Sequence, residues 1–216
     1  MSRCICIMGE SGSGKTTAMR TLDPKTTLYI DADGKGLSWK GWRKAYNAEA
    51  KNYVRTDDQR VVLSCLNACE NMESYKRFKT VVIDTINSIM VADEYRRRTE
   101  KTYDKWADLA WSVYDIVTMA NKLRDDLTVI ILAHTQTEVD ETTGERFTRI
   151  LTNGKKLNKI GLEKYLTTVL ISKQVDGKYV LLTRDPRSTC KAPMGAFDKE
   201  MVDNDITVVM KALDEF

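Results

Sequence analysis

A single histidine, His134, stands among the 216 residues, so a metal centre built from several imidazoles is excluded. Five cysteines make an odd number, and their spacing matches no metal site. Cys4 and Cys6 alternate in an apolar run, Cys65 and Cys69 lie four apart in a helical pattern, and Cys190 stands alone, so reduced thiols are expected. With only three prolines, no low-complexity linker and no internal repeat, extended disorder is not expected. No apolar run reaches membrane-spanning length, and Met-Ser-Arg before five apolar residues is too short for a signal peptide. A cytoplasmic protein with no membrane partner is expected. Charge of neither sign dominates, since the net value of +3 is too small to prove a nucleic-acid partner.

What is present describes a globular chain. Hydrophobic residues at 42% and charged residues at 30% suit one α/β domain over residues 1–216. The charge is unevenly spread. From Lys35 to Arg55 six basic residues face one acid, Glu49, and from Arg146 to Lys164 six face Glu163 alone. Residues 198–216 reverse this, with six acids against Lys199 and Lys211, and read as an acidic tail. These blocks serve either DNA binding and its modulation or plain solvation.

The strongest motif is Gly9-Glu10-Ser11-Gly12-Ser13-Gly14-Lys15-Thr16-Thr17, which fits the phosphate-loop pattern G-x-x-x-x-G-K-[ST] directly after the apolar run Cys4–Met8. Its glycines allow a tight turn that aims backbone N–H groups at phosphate oxygens. Lys15 supplies a point charge for the β- and γ-phosphates of ATP, Thr16 a hydroxyl for Mg²⁺, and the following helix, expected over Lys15–Leu22, its positive dipole end. Asp23-Pro24 ends that helix.

The remaining chain alternates strand and helix. Thr26–Ile30 reads as a strand running into Asp31-Ala32-Asp33-Gly34, where Asp33 is the candidate catalytic acid. Trp39, Trp42 and Tyr46, interleaved with Lys and Arg, suit either stacked bases or a packed helix, and their helical spacing favours packing. Asp57 is the expected N-cap of a helix whose face is Val62, Cys65, Leu66, Cys69 and Met72. Lys79–Thr85 is an apolar strand ending in Asp84, which, after a phosphate loop, is the expected Mg²⁺-supporting acid. A helical region over Asn87–Leu123 breaks near Thr99–Tyr103, and Arg96, Arg97 and Arg98, balanced by nearby acids, are read as a surface ion-pair cluster in preference to a nucleic-acid patch. The strand Leu127–Ala133 leads to His134 and Gln136, either of which is placed to sense the γ-phosphate or to be merely structural. Glu138–Thr148 reads as a hairpin or mobile loop, continued by Asn153-Gly154-Lys155-Lys156, and this basic excursion is the candidate DNA contact. Leu166–Ser172 and Lys178–Thr183 form a second hairpin around Asp176-Gly177, followed by an irregular cationic loop with Arg184, Arg187 and Lys191.

Over nearly its whole length the chain resembles the ATPase core of the RecA superfamily, and more closely the short phage members proposed to act as single-strand annealing recombinases. The resemblance implies a RecA-like P-loop fold: a mainly parallel central sheet flanked by helices, with an antiparallel C-terminal hairpin. It implies ATP and Mg²⁺ as cofactors, Asp33 polarising the attacking water where RecA has a glutamate, and a terminal polar residue at His134 or Gln136 coupling γ-phosphate to DNA. It places DNA contacts at Arg146, Arg149, Lys155 and Lys156, and cations entering a neighbouring protomer's ATP site at Arg184, Arg187 or Lys191. Single-stranded DNA, further copies of the chain in a ring or filament, and a single-strand-binding protein are the implied partners. RecA's N-terminal polymerisation segment and C-terminal domain have no counterpart here. The rival readings are a small P-loop kinase and a nucleotide-dependent adaptor or loader in phage replication or repair.

Overall fold

The computed structural model describes residues 2–102, 104–152 and 160–216. The strands of its central sheet are β1 (Arg3–Met8), β2 (Thr27–Asp31), β3 (Tyr53–Arg55), β4 (Thr80–Asp84), β5 (Thr128–Ala133), β8 (Thr168–Val175), β9 (Lys178–Leu182) and β10 (Met201–Asp203). Two more, β6 (Thr135–Val139) and β7 (Arg146–Ile150), pair apart from it. The eight central strands stand in the order β10-β9-β8-β1-β5-β4-β2-β3. From β8 through β3 every pairing is parallel, while β9 and β10 pair antiparallel at one edge. This is the expected fold class.

The apolar runs are continuous because both sheet faces are covered. In β1, Cys4, Cys6 and Met8 enter one core, and Ile5 and Ile7 enter the other. The first core is roofed by α3 (Gln59–Asn71), α4 (Ile86–Arg96) and α5 (Asp104–Ala120), through Val62 and Leu66, Ile86 and Ile89, and Val113 and Ile116. The second lies under α1 (Lys15–Ala18), α2 (Trp42–Ala45) and the C-terminal helix α6 (Ile206–Ala212). Trp39, Trp42 and Tyr46 do pack. Tyr29, Trp39 and Tyr46 meet edge to face, and Trp42 lies 5.3 Å from Tyr53.

Several expectations need adjustment. The helix after the phosphate loop is α-helical only to Ala18 and tightens into a 3₁₀ turn over Met19–Thr21 before Asp23-Pro24. Asp58, not Asp57, caps α3: its carboxylate accepts the Arg60 N–H at 2.9 Å, and Asp57 instead pairs with Arg96. Arg97 holds Glu100 and Asp108, and Arg98 lies over the Tyr95 ring, so the arginine run is largely partnered within the chain. The stretch 198–216 contributes β10 and α6 to the fold, with Ile206, Val209 and Leu213 buried.

Candidate functional site

Parallel register gathers the chemistry at one edge. Asp31 lies opposite Asp84, Asp84 opposite Leu132, and Met8 opposite both Ala133 and Ile171, so the carboxyl ends of β2, β4, β5 and β1 finish together while β8 runs on to Val175. That edge is where open parallel sheets bind ligands. The order has β5 between β1 and β4, so the phosphate loop and Asp84 face each other across one strand.

The loop Gly9–Gly14 is pinned from both sides. Gly9 N–H donates to the Ala133 carbonyl at 3.1 Å, and Ser172 Oγ donates to the Ser13 carbonyl at 2.7 Å. A side chain at Gly9 would meet the Ser172 carbonyl oxygen at 2.5 Å, so the close approach of β8 demands glycine there. Gly14 has φ of 99° and lies under Tyr179 and Asn204, whose amide donates to the Gly14 carbonyl at 3.0 Å. The C-terminal segment therefore braces the loop.

Lys15 is buried and its Nζ donates to the carbonyls of Gly9 and Glu10, both at 2.8 Å, which curls the ammonium into the space the loop encloses. Burial pushes this amine down to about 8. Thr16 Oγ1 and the Tyr29 hydroxyl both donate to Asp84 Oδ2, at 2.8 and 2.7 Å. Asp84 Oδ1 is buried with no hydrogen-bond partner, and burial raises this carboxyl against those two hydrogen bonds. An orphaned carboxylate oxygen beside a threonine hydroxyl is a hard-oxygen set that fits Mg²⁺. Among the described residues no group of three or more His, Cys, Asp or Glu is placed to hold a metal.

Asp33 sits beside this pair. Its Oδ1 accepts the Thr85 N–H at 3.1 Å, the Thr85 hydroxyl at 2.8 Å and the Ser88 hydroxyl at 2.6 Å, while Oδ2 accepts from Lys35 Nζ. Partial burial works to raise this carboxyl, but the hydrogen bonds from Lys35, Ser88 and Thr85 outweigh it and hold it at about 2. The Asp84–Thr85 peptide bond is cis.

An open pocket of about 300 Å³ is lined by Ser11, Gly12, Gly14, Lys15, Thr16, Thr17, Lys35, Ser38, His134 and Tyr179. His134 thus borders the phosphate site, and burial, then the charge of Lys15, lowers its pKa, so it is neutral at pH 7. Gln136 is not brought there. It lies on β6, whose pleat turns Thr135 and Thr137 towards the phosphate loop, and its amide donates to Glu138 at 3.2 Å.

Strand β6 pairs antiparallel with β7, so Glu138–Thr148 is a hairpin, not an open loop. Arg146, Phe147, Arg149, Pro186 and Arg187 line an open hollow together with the acids Glu138, Asp140 and Glu145, and Arg149 pairs with Glu138 at 3.5 Å. Arg187 is there because the cationic loop runs along β7, with Thr148 N–H donating to the Arg187 carbonyl at 2.8 Å. Arg184 donates to the Phe197 carbonyl at 3.2 Å, and Lys191 pairs through its backbone with Val169. The three cations do not converge, and none lines the phosphate pocket of its own chain. Lys155 and Lys156 lie outside the described residues.

Sequence reasoning missed Tyr29, Lys35, Ser88, Tyr179 and Asn204. Only Lys35 carried a local signal, the flanking glycines of Gly34-Lys35-Gly36.

A model of the AAA domain family matches residues 1–190. No curated protein sequence matches the chain. Among solved structures, the crystal structure of the RadB recombinase is similar, with a TM-score of 0.49 and 17% identity over 83% of this chain and 79% of that chain.

Proposed function

The chain belongs to the AAA domain family, and from that premise we propose an ATP- and Mg²⁺-dependent protein that binds single-stranded DNA and anneals or pairs strands in phage recombination, with ATP hydrolysis linked to DNA. The observation that carries this reading is the continuity of β5 with the β6–β7 hairpin. The end of β5 holds Gly9 through the Ala133 carbonyl, His134 borders the phosphate pocket, and the next residues begin a hairpin carrying Arg146, Phe147 and Arg149. Arg146 and Arg187 beside the exposed Phe147 are the groups that phosphates and stacked bases would use, with Glu138, Asp140 and Glu145 on the same hollow and Arg149 paired to Glu138. A shift at the γ-phosphate therefore has a short covalent route to that surface.

Roles follow from geometry. Gly12, Gly14, Lys15, Thr16 and Thr17 hold the triphosphate, and Thr16 with Asp84 supports Mg²⁺, which neutralises charge developing on the phosphates. Asp33, whose Oδ1 is anchored by Thr85 and Ser88, orients or deprotonates the attacking water. Orientation alone suffices for a loose phosphoryl-transfer transition state. His134 reads the γ-phosphate. Arg184 and Lys191 reach an ATP site only in a neighbouring protomer, whereas Arg187 joins the hairpin surface.

ATP hydrolysis measured with and without single-stranded DNA, across protein concentration, tests the reading. Stimulation rising more steeply than protein concentration is expected of an assembled site with cations in trans. One observation favours a kinase instead: a pocket of about 390 Å³ against Gly9–Ser13, walled by Thr135, Thr137, Thr148 and Asp185, has room for an acceptor. Turnover indifferent to DNA, with phosphate transferred to an added acceptor, would establish that reading. Turnover indifferent to DNA without transfer would leave an adaptor.

The DNA surface has its own test. Replacing Lys155 and Lys156 with glutamine is expected to weaken single-strand binding and to flatten its log-log salt dependence by about 0.7 for each phosphate no longer neutralised. An unchanged slope would move the DNA surface to the Lys35–Arg55 block.

A further inference from the structure

Lys35 stands on a loop built to present it. Asp31, buried at the end of β2, accepts the N–H groups of Gly34 and Gly36, each at 2.8 Å. Both glycines have left-handed backbone, with φ of 68° and 81°, so the chain on either side of Lys35 is held in a shape that side chains oppose. Further along, Ser38 Oγ lies 2.9 Å from Thr17 Oγ1, which ties the loop to the helix that follows the phosphate loop. The result places Lys35 on the wall of the pocket that Lys15, Thr16 and His134 also line.

The two oxygens of Asp33 are held unequally. Oδ1 is fixed by three donors on the backbone and side chains of Thr85 and Ser88, whereas Oδ2 takes Lys35. The Lys35 side chain is 56% exposed, and that of Asp33 is 11% exposed. The Lys35 ammonium is largely solvated, and its four-carbon stem is free to turn. A terminal phosphate cradled by the loop carries more charge than a carboxylate and is the stronger partner.

We propose that Lys35 is a second cationic ligand of the nucleotide, contributed by the same chain, which leaves Asp33 Oδ2 for the terminal phosphate when a triphosphate binds and returns to Asp33 when that phosphate is gone. This rests on the ATP-binding reading above. The exchange opens Asp33 Oδ2 to a water only while the γ-phosphate is present. The pair thereby acts as a reader of nucleotide state.

The test compares ATP and ADP binding, with Mg²⁺ present, for the full chain and its Lys35→Gln and Lys35→Arg variants. Glutamine keeps a donor to Asp33 and so preserves the loop, which a thermal melt checks. Lys35→Gln is expected to weaken ATP about tenfold and ADP less than twofold, with Lys35→Arg recovering most of the ATP affinity. Equal loss for both nucleotides, or no loss for either, overturns the proposal. A Lys15→Ala control separates the two readings: if it binds ATP as well as the natural chain, nucleotide binding at this loop fails, and Lys35 with it.

Discussion

Replacing Lys15 with alanine is expected to lower ATP affinity by roughly 100-fold or more while leaving the chain folded. Charge-assisted hydrogen bonds contribute about 1.5–3 kcal/mol each, and an ammonium between β- and γ-phosphates makes two of them, so the loss spans about two to four powers of ten. The fold should barely notice. Lys15 Nζ does hold the Gly9 and Glu10 carbonyls, and alanine forfeits both bonds. Alanine also removes a buried cation, whose desolvation cost is visible in an amine pushed down to about 8. These effects oppose each other, and a melting-temperature change of no more than about 3 °C is expected. Calorimetric titration with ATP, paired with a thermal melt, reads both quantities. A folded variant with undiminished ATP affinity would remove the phosphate loop from the site.

The division between what could be read from the sequence and what could not follows the range of the interactions. Gly9–Thr17 is contiguous, and its chemistry is local, so its position was plain. The hairpin at Asp176-Gly177 was equally legible, because two consecutive residues with positive φ, 49° and 76°, need such a pair. Asp84 was recognisable from the strand before it. Its partners were not. Tyr29 lies in another strand and reaches Asp84 only through parallel pairing, 55 positions away in sequence. Asn204 braces Gly14 across 190 residues, and no local pattern marks it. The cap of α3 was misplaced by one residue because Asp57 and Asp58 are equivalent locally, and Arg96 of α4 decides between them. In residues 198–216 the six acids hid the spacing of Ile206, Val209 and Leu213, which is that of a helix face. Lys35 disappeared into the basic block Lys35 to Arg55, where nothing local sets it apart from five other cations but its flanking glycines.

Replacing Asp33 with asparagine should separate binding from turnover. The expected result is an ATP affinity unchanged within about threefold and a hydrolysis rate reduced by at least about 100-fold, the usual scale for losing a group that positions or accepts a proton. Asparagine can still turn its carbonyl oxygen towards Thr85 and Ser88, which donate to Oδ1 in the natural chain, so the loop stays anchored. What it then presents at the Oδ2 position is an amide that donates and cannot accept. Such a group neither holds a water's proton nor pairs with Lys35. The released Lys35 remains available to a terminal phosphate, and for that reason ATP affinity is not expected to fall. Single-turnover hydrolysis with saturating ATP isolates the chemical step from product release. An unchanged rate would mean that another residue orients the attacking water, and His134, which lines the phosphate pocket and whose pKa is lowered by burial, is the candidate. Loss of ATP binding together with turnover would instead mean that the Asp33 network shapes the phosphate site itself, through Thr85 and its neighbour Asp84.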